Sequence, residues 1–315
     1  MRSAGRFNDN RLRCTLAVRG STRDEKKAQM NDGPLISVII HCYQQAHYLA
    51  EAIESVRAQT YTRYEIIVVD DGATDDTSAV AARYGGLRCI RQRHQGLPAA
   101  RNTGLHACAG EYVVFLDADD RLLPTALEAG VDALSARPEC VLVYGFCEFI
   151  DHAGAQLPTP PHPVVEQQHY RALFERNYIW TPGAAMFQRT VLAEVGGFDE
   201  TLVRGCEDLD IYLRIAKDRL IYGHGQTVLQ YRKHAGSMSM KLASMLRASN
   251  QLFRKHLKIV KGDGELEELC RRKIIPTHRL LWRRLSIRLG TALRVRTRLR
   301  ALKLALQVKA VTSDE

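Results

Sequence analysis

The sequence predicts an α/β domain built on a mostly parallel sheet, because buried-strand patterns alternate with helical ones. Residues 36–40 and 65–69 are short, nearly continuous apolar runs, which is typical of strands buried on both faces. Between them, Leu49, Ile53 and Val56 recur at the spacing of an amphipathic helix. A strand, a helix and a second strand in this order predict a parallel pair joined by a right-handed crossover.

The same alternation continues along the chain. Residues 74–84 and 98–109 are predicted helices, and each leads into a predicted strand, at 88–91 and at 112–116. The pattern then becomes irregular. The elements predicted beyond it are a helix at 124–136, strands at 140–144, 146–150 and 183–187, a helix starting near Glu207, and helix throughout 241–308.

Composition narrows the class of protein. The chain has 315 residues, of which 45% are hydrophobic and 25% charged, as in ordinary globular proteins. No apolar run reaches the roughly 20 residues that span a bilayer, and nothing resembles a signal peptide. The eight cysteines are scattered without a CxxC pair, which predicts isolated thiols in a reducing compartment, hence the cytoplasm.

The net charge of +10 belongs to the two ends of the chain. Residues 271–315 hold 13 Lys and Arg against two acids, and residues 1–33 hold eight against four, so the middle is mildly acidic. We therefore predict a disordered leader at 1–33, an enzyme-like folded domain at 34–240 and a basic helical extension at 241–315.

Two acidic clusters directly follow predicted strands. Asp70 and Asp71 end one strand, and Asp117 and Asp119 end another, at the sheet edge where open α/β proteins bind ligands. Asp70 or Asp71 can accept a hydrogen bond from a nucleotide, or it can simply cap a turn. Alternate residues of an extended segment share a face, so Asp117 and Asp119 suit a divalent cation such as Mg²⁺ or Mn²⁺.

A third cluster, Glu207 and Asp208, opens a predicted helix. Acids are favoured there by the helix dipole. The alternative interpretation is that one of them is a general base at the mouth of the site.

Taken in order, these motifs resemble family 2 glycosyltransferases of the GT-A fold, over roughly residues 35–240. The matching segments are Val69-Asp70-Asp71-Gly72, Gly-Leu-Pro-Ala-Ala-Arg-Asn-Thr-Gly at 96–104, Phe-Leu-Asp-Ala-Asp-Asp at 115–120, Trp-Thr-Pro-Gly at 180–183, Val-Gly-Gly-Phe-Asp at 195–199, Glu207-Asp208, and Tyr-Arg-Lys-His-Ala-Gly-Ser at 231–237.

The resemblance implies a role for each residue on the donor side. Asp71, with Asp70 beside it, would contact the nucleotide base, and Arg101 would lie near the diphosphate. The turn that follows the first strand would pack on the nucleotide, with Tyr43 in it. That turn reads His-Cys-Tyr-Gln here, whereas the family usually has Pro-Thr-Tyr-Asn, so base selectivity stays open.

The resemblance also implies a metal and a catalytic base. Asp119 would be the main ligand of Mn²⁺ or Mg²⁺, with Asp117 nearer the ribose and His234 approaching the metal or diphosphate. Asp208 would be the base, and Glu207 would orient it or the acceptor. Trp180 would line the acceptor pocket.

The resulting hypothesis is an inverting enzyme that moves a sugar from a nucleotide-diphospho-sugar, with UDP expected, to a hydroxyl acceptor. The acceptor would be a carbohydrate or lipid-linked molecule in cell-surface polysaccharide or glycolipid synthesis. One alternative is a degenerate homologue that binds nucleotide sugars without turnover. A dinucleotide-dependent oxidoreductase is disfavoured because the turn 41–45 contains no glycine.

The basic tail supports two further hypotheses. Residues 271–309 contain no acid, and their leucines recur at helical spacing among arginines. Such a helix suits the anionic inner face of a membrane, while its leucines could equally pack on the catalytic domain. A nucleic-acid-binding protein that acts through this tail is the remaining alternative, although no nucleic-acid partner is expected.

Overall fold

The computed structural model describes residues 33–275, and within them nine strands form a single sheet. The strand order is β3-β2-β1-β4-β8-β6-β9-β5, and β7 pairs with β6. The strands are β1 (Ile36–Cys42), β2 (Tyr64–Asp70), β3 (Leu87–Arg91), β4 (Tyr112–Asp117), β5 (Arg121–Leu122), β6 (Cys140–Ile150), β7 (Gln156–Leu157), β8 (Ala185–Gln188) and β9 (Leu220–Arg232).

Helices cover both faces of the sheet. They are α1 (Ala46–Arg57), α2 (Thr77–Ala81), α3 (Leu97–Ala107), α4 (Ala126–Ala136), α5 (His169–Glu175), α6 (Arg189–Glu194), α7 (Glu207–Ala216), α8 (Leu242–Ile259) and α9 (Gly264–Lys273), with 3-10 turns at Pro182–Ala184 and Met238–Met240. One apolar core lies under α1 and α4, and the other lies on the opposite face under α3, α5 and α7.

The first four strands of the sheet run parallel, as predicted. β1 lies between β2 and β4, and His41 on β1 pairs with Val69 on one side and Asp117 on the other. The carboxyl ends of these three strands therefore meet at one edge. The remaining pairings are antiparallel except for β6 with β9, which confirms the predicted mixed, mostly parallel sheet.

Several predicted elements have different bounds in the structure. The two strands predicted around Gly145 are one continuous strand, β6, because the register shift against β9 at this point absorbs the glycine as a bulge. A side chain at Gly145 would meet the backbone oxygen of Gln226. The predicted strand 183–187 begins as a 3-10 turn, and the predicted helix 74–84 is helical only at Thr77–Ala81.

The two helices after residue 240 pack on the core of the sheet domain. Leu252 and Phe253 of α8 and Leu266 and Cys270 of α9 are buried in the cluster that also contains α7. The prediction of helix throughout 241–308 is wrong at residues 260–263, where the chain turns through Gly262 at φ 99°. Three predictions lie outside the described residues: the helix at 276–308, the leader at 1–32, and the membrane or nucleic-acid contacts of the tail. The domain boundaries also stay predictions.

Seven of the eight cysteines fall in the described range, and all seven are free thiols, in agreement with the prediction. Among the helices of this range, none combines the length and the apolar character needed to cross a membrane.

Asp210 anchors α8 to α7. Its carboxylate is fully buried and lies 2.9 Å from His256 Nε2, 2.8 Å from Lys255 Nζ and 2.7 Å from Arg214 Nε. Burial alone would raise the pKa of Asp210, but the hydrogen bond from His256 and the charges of Arg214 and Lys255 hold that pKa well below its usual range. The ionised carboxylate is thus the point at which three cationic or polar groups meet.

Replacing this carboxylate tests the anchor. We expect Asp210→Asn to lower the free energy of unfolding at pH 7 by roughly 3 kcal/mol or more, because it removes the buried negative charge that Arg214 and Lys255 face. A lowered native pKa means that the stabilisation is present at neutral pH and is lost as the pH falls below about 4. The difference between wild type and variant in urea unfolding should therefore narrow in acid. The control is Asp218→Asn, which changes an exposed acid just after α7. A difference in unfolding free energy between wild type and Asp210→Asn that does not change with pH would contradict the lowered pKa of Asp210.

Candidate active site

A cavity of about 860 Å³ opens at the carboxyl ends of β1, β2 and β4. Five of the predicted site residues line it: Tyr43, Asp71, Asp117, Asp119 and His234. Further parts of the wall come from residues 41–47, from the β3–α3 loop and the start of α3, from the loop before α7 and from residues 236–241. The topology thus brings together residues that are up to 191 positions apart in the chain.

A buried arginine joins the two halves of this site. Arg101, on α3, is 1% exposed. Its Nη2 donates to Asp117 Oδ1 at 2.8 Å, and its Nη1 donates to Glu207 Oε1 at 2.7 Å. The guanidinium also lies over the ring of Phe198. Arg101 therefore lies behind the cavity wall, bonded to two carboxylates, and it is absent from the described residues that line the cavity.

Arg101 pairs with two carboxylates, Asp117 and Glu207, whose pKa values are shifted in opposite directions. Burial would raise the pKa of Asp117, but the charge of Arg101 and its hydrogen bond to this carboxylate hold that pKa low. Burial raises the pKa of Glu207 to about 7, against the opposing charge of Arg101. Burial also lowers the pKa of His41 to about 4, so its imidazole is neutral at pH 7, with Nε2 3.2 Å from Asp117 Oδ1.

Asp119 and His234 both line the cavity, and their side chains are hydrogen-bonded to each other. Asp119 Oδ2 lies 2.8 Å from His234 Nε2, and burial together with the charge of Asp117 raises the pKa of Asp119. Arg232 fixes this turn, because its Nε donates to the Asp119 carbonyl at 2.7 Å and its backbone N–H donates to Asp120 Oδ1 at 2.8 Å. Its guanidinium is buried over the ring of Tyr48.

Few side chains of the described cavity could hold a divalent cation. Within residues 33–275, no group of three or more His, Cys, Asp or Glu could hold a metal ion. Asp117 Oδ1 is engaged by Arg101 and His41. The carboxylate of Asp119 and the imidazole of His234, which lie 2.8 Å apart on the cavity wall, could each give one ligand to a divalent cation such as Mn²⁺.

Asp70 and Asp71 hold the loops that surround the cavity. Asp70 is fully buried and accepts hydrogen bonds from Ala73 N, at 2.8 Å, and from Ser78 Oγ. Asp71 accepts from the backbone N–H groups of Gln95 and Gly96, both at 2.9 Å. Asp70 therefore stabilises the turn that follows β2 and does not line the cavity. Asp71 lines the cavity and also fixes the backbone of the β3–α3 loop.

The β3–α3 loop also brings His94 to the cavity. Its ring stacks on Tyr43, with centroids 3.9 Å apart and planes 17° from parallel, and its Nδ1 lies 2.8 Å from Asp71 Oδ2. Sequence reasoning did not select His94, Arg232 or His41 as site residues. Two of them carried a signal: Arg232 lies two positions before His234 in a matched motif, and His41 begins the turn expected to pack on the nucleotide.

The predicted base sits at the start of α7. Gly205 and Cys206, at φ 115° and 67°, form a left-handed turn that places Glu207 and Asp208 in the first helical turn. Asp208 is half-buried, its Oδ2 accepts from Asn177 Nδ2 at 3.3 Å, and burial raises its pKa. Asp208 is not among the described residues that line the cavity, and it connects to them through Glu207, Arg101 and Asp117.

Trp180 lies apart from this cavity. Its ring packs between those of His162 and Phe149, with centroids at 3.9 and 5.1 Å. Phe149 in turn contacts Tyr231, which does line the cavity. An aromatic row thus connects Trp180 with the cavity wall, and its predicted role towards the acceptor stays a prediction.

Comparisons with known proteins agree with this geometry. The family model described as glycosyl transferase family 2 matches residues 37–196. An uncharacterized glycosyltransferase of Rickettsia prowazekii is 30% identical over 230 residues, which cover 71% of this chain and 72% of the relative. Chondroitin synthase of Escherichia coli is 28% identical over 61% of this chain and 28% of its own length.

Solved structures share the fold at low sequence identity. S. aureus TarS in complex with UDP-GlcNAc superposes with a TM-score of 0.59 at 19% identity, over 76% of this chain and 70% of that one. The mannosyltransferase PcManGT from Pyrobaculum calidifontis, in complex with GDP-Man and Mn²⁺, has a TM-score of 0.55 at 20% identity, over 77% and 69%. By its family model, its relatives and its fold, the chain belongs to glycosyl transferase family 2.

Proposed function

We propose that the protein is an inverting glycosyltransferase that moves a sugar from a UDP-sugar to a hydroxyl acceptor in cell-surface polysaccharide or glycolipid synthesis. The observation that carries this proposal is the ion-pair chain Asp117–Arg101–Glu207. It links a donor-binding strand end to the carboxylates at the start of α7. Nucleotide sugars are bound by structural neighbours of the chain.

On the donor side, the cavity offers a stacking surface and a diphosphate site. The Tyr43–His94 pair, which is exposed at the cavity, and the carboxylate of Asp71 would contact the nucleotide base. Asp117, kept ionised by Arg101, would accept hydrogen bonds from the ribose hydroxyls. Asp119 and His234 would hold Mn²⁺ or Mg²⁺, which when bound neutralises negative charge on the diphosphate.

On the acceptor side, Asp208 takes the proton of the attacking hydroxyl. The acceptor oxygen forms a bond to the anomeric carbon, the bond from that carbon to the diphosphate oxygen breaks, and the nucleoside diphosphate leaves with the electron pair. Burial raises the pKa of Asp208, which makes it a stronger base than an exposed aspartate. Attack from the face opposite the leaving group inverts the anomeric centre.

Two neighbours prepare Asp208 for this step. Asn177 donates to Oδ2 and the backbone N–H of Leu209 donates to Oδ1 at 2.7 Å. Each carboxylate oxygen therefore has one partner that fixes its direction, and each retains a lone pair for the incoming proton.

Removing the base should separate chemistry from binding. We expect Asp208→Asn to lower kcat by a factor of roughly 10² or more, because the amide cannot accept the hydroxyl proton. The shift in melting temperature caused by UDP should stay that of the wild type. The measurement is the release of nucleoside diphosphate from a panel of UDP and GDP sugars, with Asp218→Asn as the matched control at the other end of α7.

Turnover of Asp208→Asn within a few-fold of wild type would show that Asp208 is not the base. A wild-type protein that binds the panel and never releases product would instead support the degenerate, binding-only alternative.

Binding can be measured without turnover. UDP with Mn²⁺ should raise the melting temperature of the wild type by mass action, and UDP with EDTA should raise it much less. Asp119→Asn and His234→Ala should each lose most of the Mn²⁺-dependent part, because each removes one of the two proposed ligands. Asp218→Asn should keep the full shift. An equal UDP shift with Mn²⁺ and with EDTA, or a full shift in both ligand variants, would contradict the metal assignment.

A further inference from the structure

The carboxylate of Asp71, proposed above to contact the nucleotide base, already has a full set of neighbours. Its Oδ1 accepts from the backbone N–H of Gln95 at 2.9 Å and from the side-chain amide of Gln92 at 2.7 Å. Its Oδ2 accepts from the Gly96 N–H at 2.9 Å and lies 2.8 Å from His94 Nδ1. A carboxylate offers about four acceptor positions. A base N–H can therefore reach this carboxylate only after one neighbour has left.

Three of these neighbours are fixed in place. Gln95 and Gly96 donate from the main chain, directly before α3. The side chain of Gln92 is bonded at both ends of its amide, because its nitrogen donates to Asp71 and its oxygen accepts from Thr103 Oγ1. None of the three can leave without disturbing the β3–α3 loop or its contact with α3.

The fourth neighbour, the His94 imidazole, can leave by rotation of its side chain. The backbone of His94 packs closely on Gly72, where an added Cβ would lie 2.6 Å from the His94 nitrogen. Its side chain is nevertheless 51% exposed, whereas the side chain of Asp71 is only 3% exposed. Rotation to another staggered position would take the ring into solvent and uncover Asp71, with the main chain unchanged.

The His94 ring also has the contacts expected of a bound base. It stacks on Tyr43, with centroids 3.9 Å apart and planes 17° from parallel, and it holds a ring nitrogen beside the carboxylate of Asp71. A nucleobase at this point of the cavity would make the same two contacts, one through its face and one through an N–H on its edge. The imidazole and a base therefore compete for one position.

We propose that the His94 imidazole occupies the nucleobase position of the cavity and that a nucleotide binds by displacing it. This inference rests on the proposed function, because it takes a nucleotide as the ligand. Displacement exchanges one stacked ring beside Asp71 for another, so the affinity for a nucleotide is lower than its own contacts would give. His94 thereby acts on specificity, since a ring that cannot both stack on Tyr43 and reach Asp71 does not replace the contacts that the imidazole loses.

Removing the imidazole should strengthen nucleotide binding. We expect His94→Ala to lower the Kd of UDP, measured by calorimetry with Mg²⁺ present, by about threefold or more, because the base no longer displaces a side chain. Pyrophosphate, which carries no base, should bind wild type and variant alike. The matched control is His106→Ala, which removes an exposed histidine of α3 outside the described cavity wall and should bind UDP as wild type does.

Displacement can also be observed in the wild type by NMR. In ¹H–¹³C spectra of the imidazoles, the His94 signal is the one that is absent from His94→Ala. Its chemical shift carries the ring current of Tyr43 while the two rings are stacked. Addition of UDP should move this signal towards the position of an unstacked histidine, and addition of pyrophosphate should leave it in place.

A Kd for UDP that is unchanged or higher in His94→Ala, or a His94 signal that does not move at saturation with UDP, would overturn this inference. If sugar transfer is intact, either result leaves the proposed function standing. Displacement of His94 by UDP without any sugar transfer would contradict the proposed function alone. Absence of binding by both UDP and GDP would contradict both. Melting temperatures near that of wild type confirm that the variants fold.

Discussion

A single buried guanidinium connects the parts of this protein that must act together. Arg101 comes from the helix that precedes β4, so it belongs to the parallel half of the sheet. Its two carboxylate partners come from different places, Asp117 from the end of β4 and Glu207 from the start of α7. A cation taken out of water needs such partners, because an unpaired buried charge is strongly destabilising. The fold and the site therefore depend on the same contact.

The same rule explains the other buried polar groups around the cavity. Asp70 and Asp71 bond the loops that follow β2 and β3, Arg232 holds the turn that contains Asp119, and Asp210 holds α8. Each is a charge removed from water and surrounded by fixed donors or acceptors. Such groups place the cavity walls before any ligand arrives, which reduces the ordering that binding requires.

The sequence was informative where local pattern decides structure. The parallel strands are buried on both faces, so their apolar runs were visible, and the acidic clusters were visible as charges directly after them. The long strand β9 was missed, because Gly223 and Gly225 interrupt its pattern and its pairing with β6 contains register shifts. The helices of residues 241–275 were expected as a separate extension, but the side chains that bury them are visible only in three dimensions.

The site was less predictable than the fold, because its partners are distant in sequence. Nothing local to Arg101 indicates that it bonds Glu207, which lies 106 residues away. Asp71 lies in a motif that predicts nucleotide contact, yet its carboxylate also bonds the backbone of residues 95 and 96. His41 and His94 form no recognisable spacing, and only the register of β1 against β4 and the course of the β3–α3 loop bring them to the cavity.

The most direct test of this account is a double-mutant cycle on kcat between Arg101→Lys and Glu207→Gln. Lysine keeps the charge but cannot make two directed bonds, and glutamine keeps the shape of Glu207 without its charge. If the two residues act as one unit, the double variant should lose about as much activity as Arg101→Lys alone, with a coupling energy of about 1 kcal/mol or more. Losses that simply multiply would show that the two residues contribute independently, and that the buried guanidinium does not couple the donor and acceptor sides.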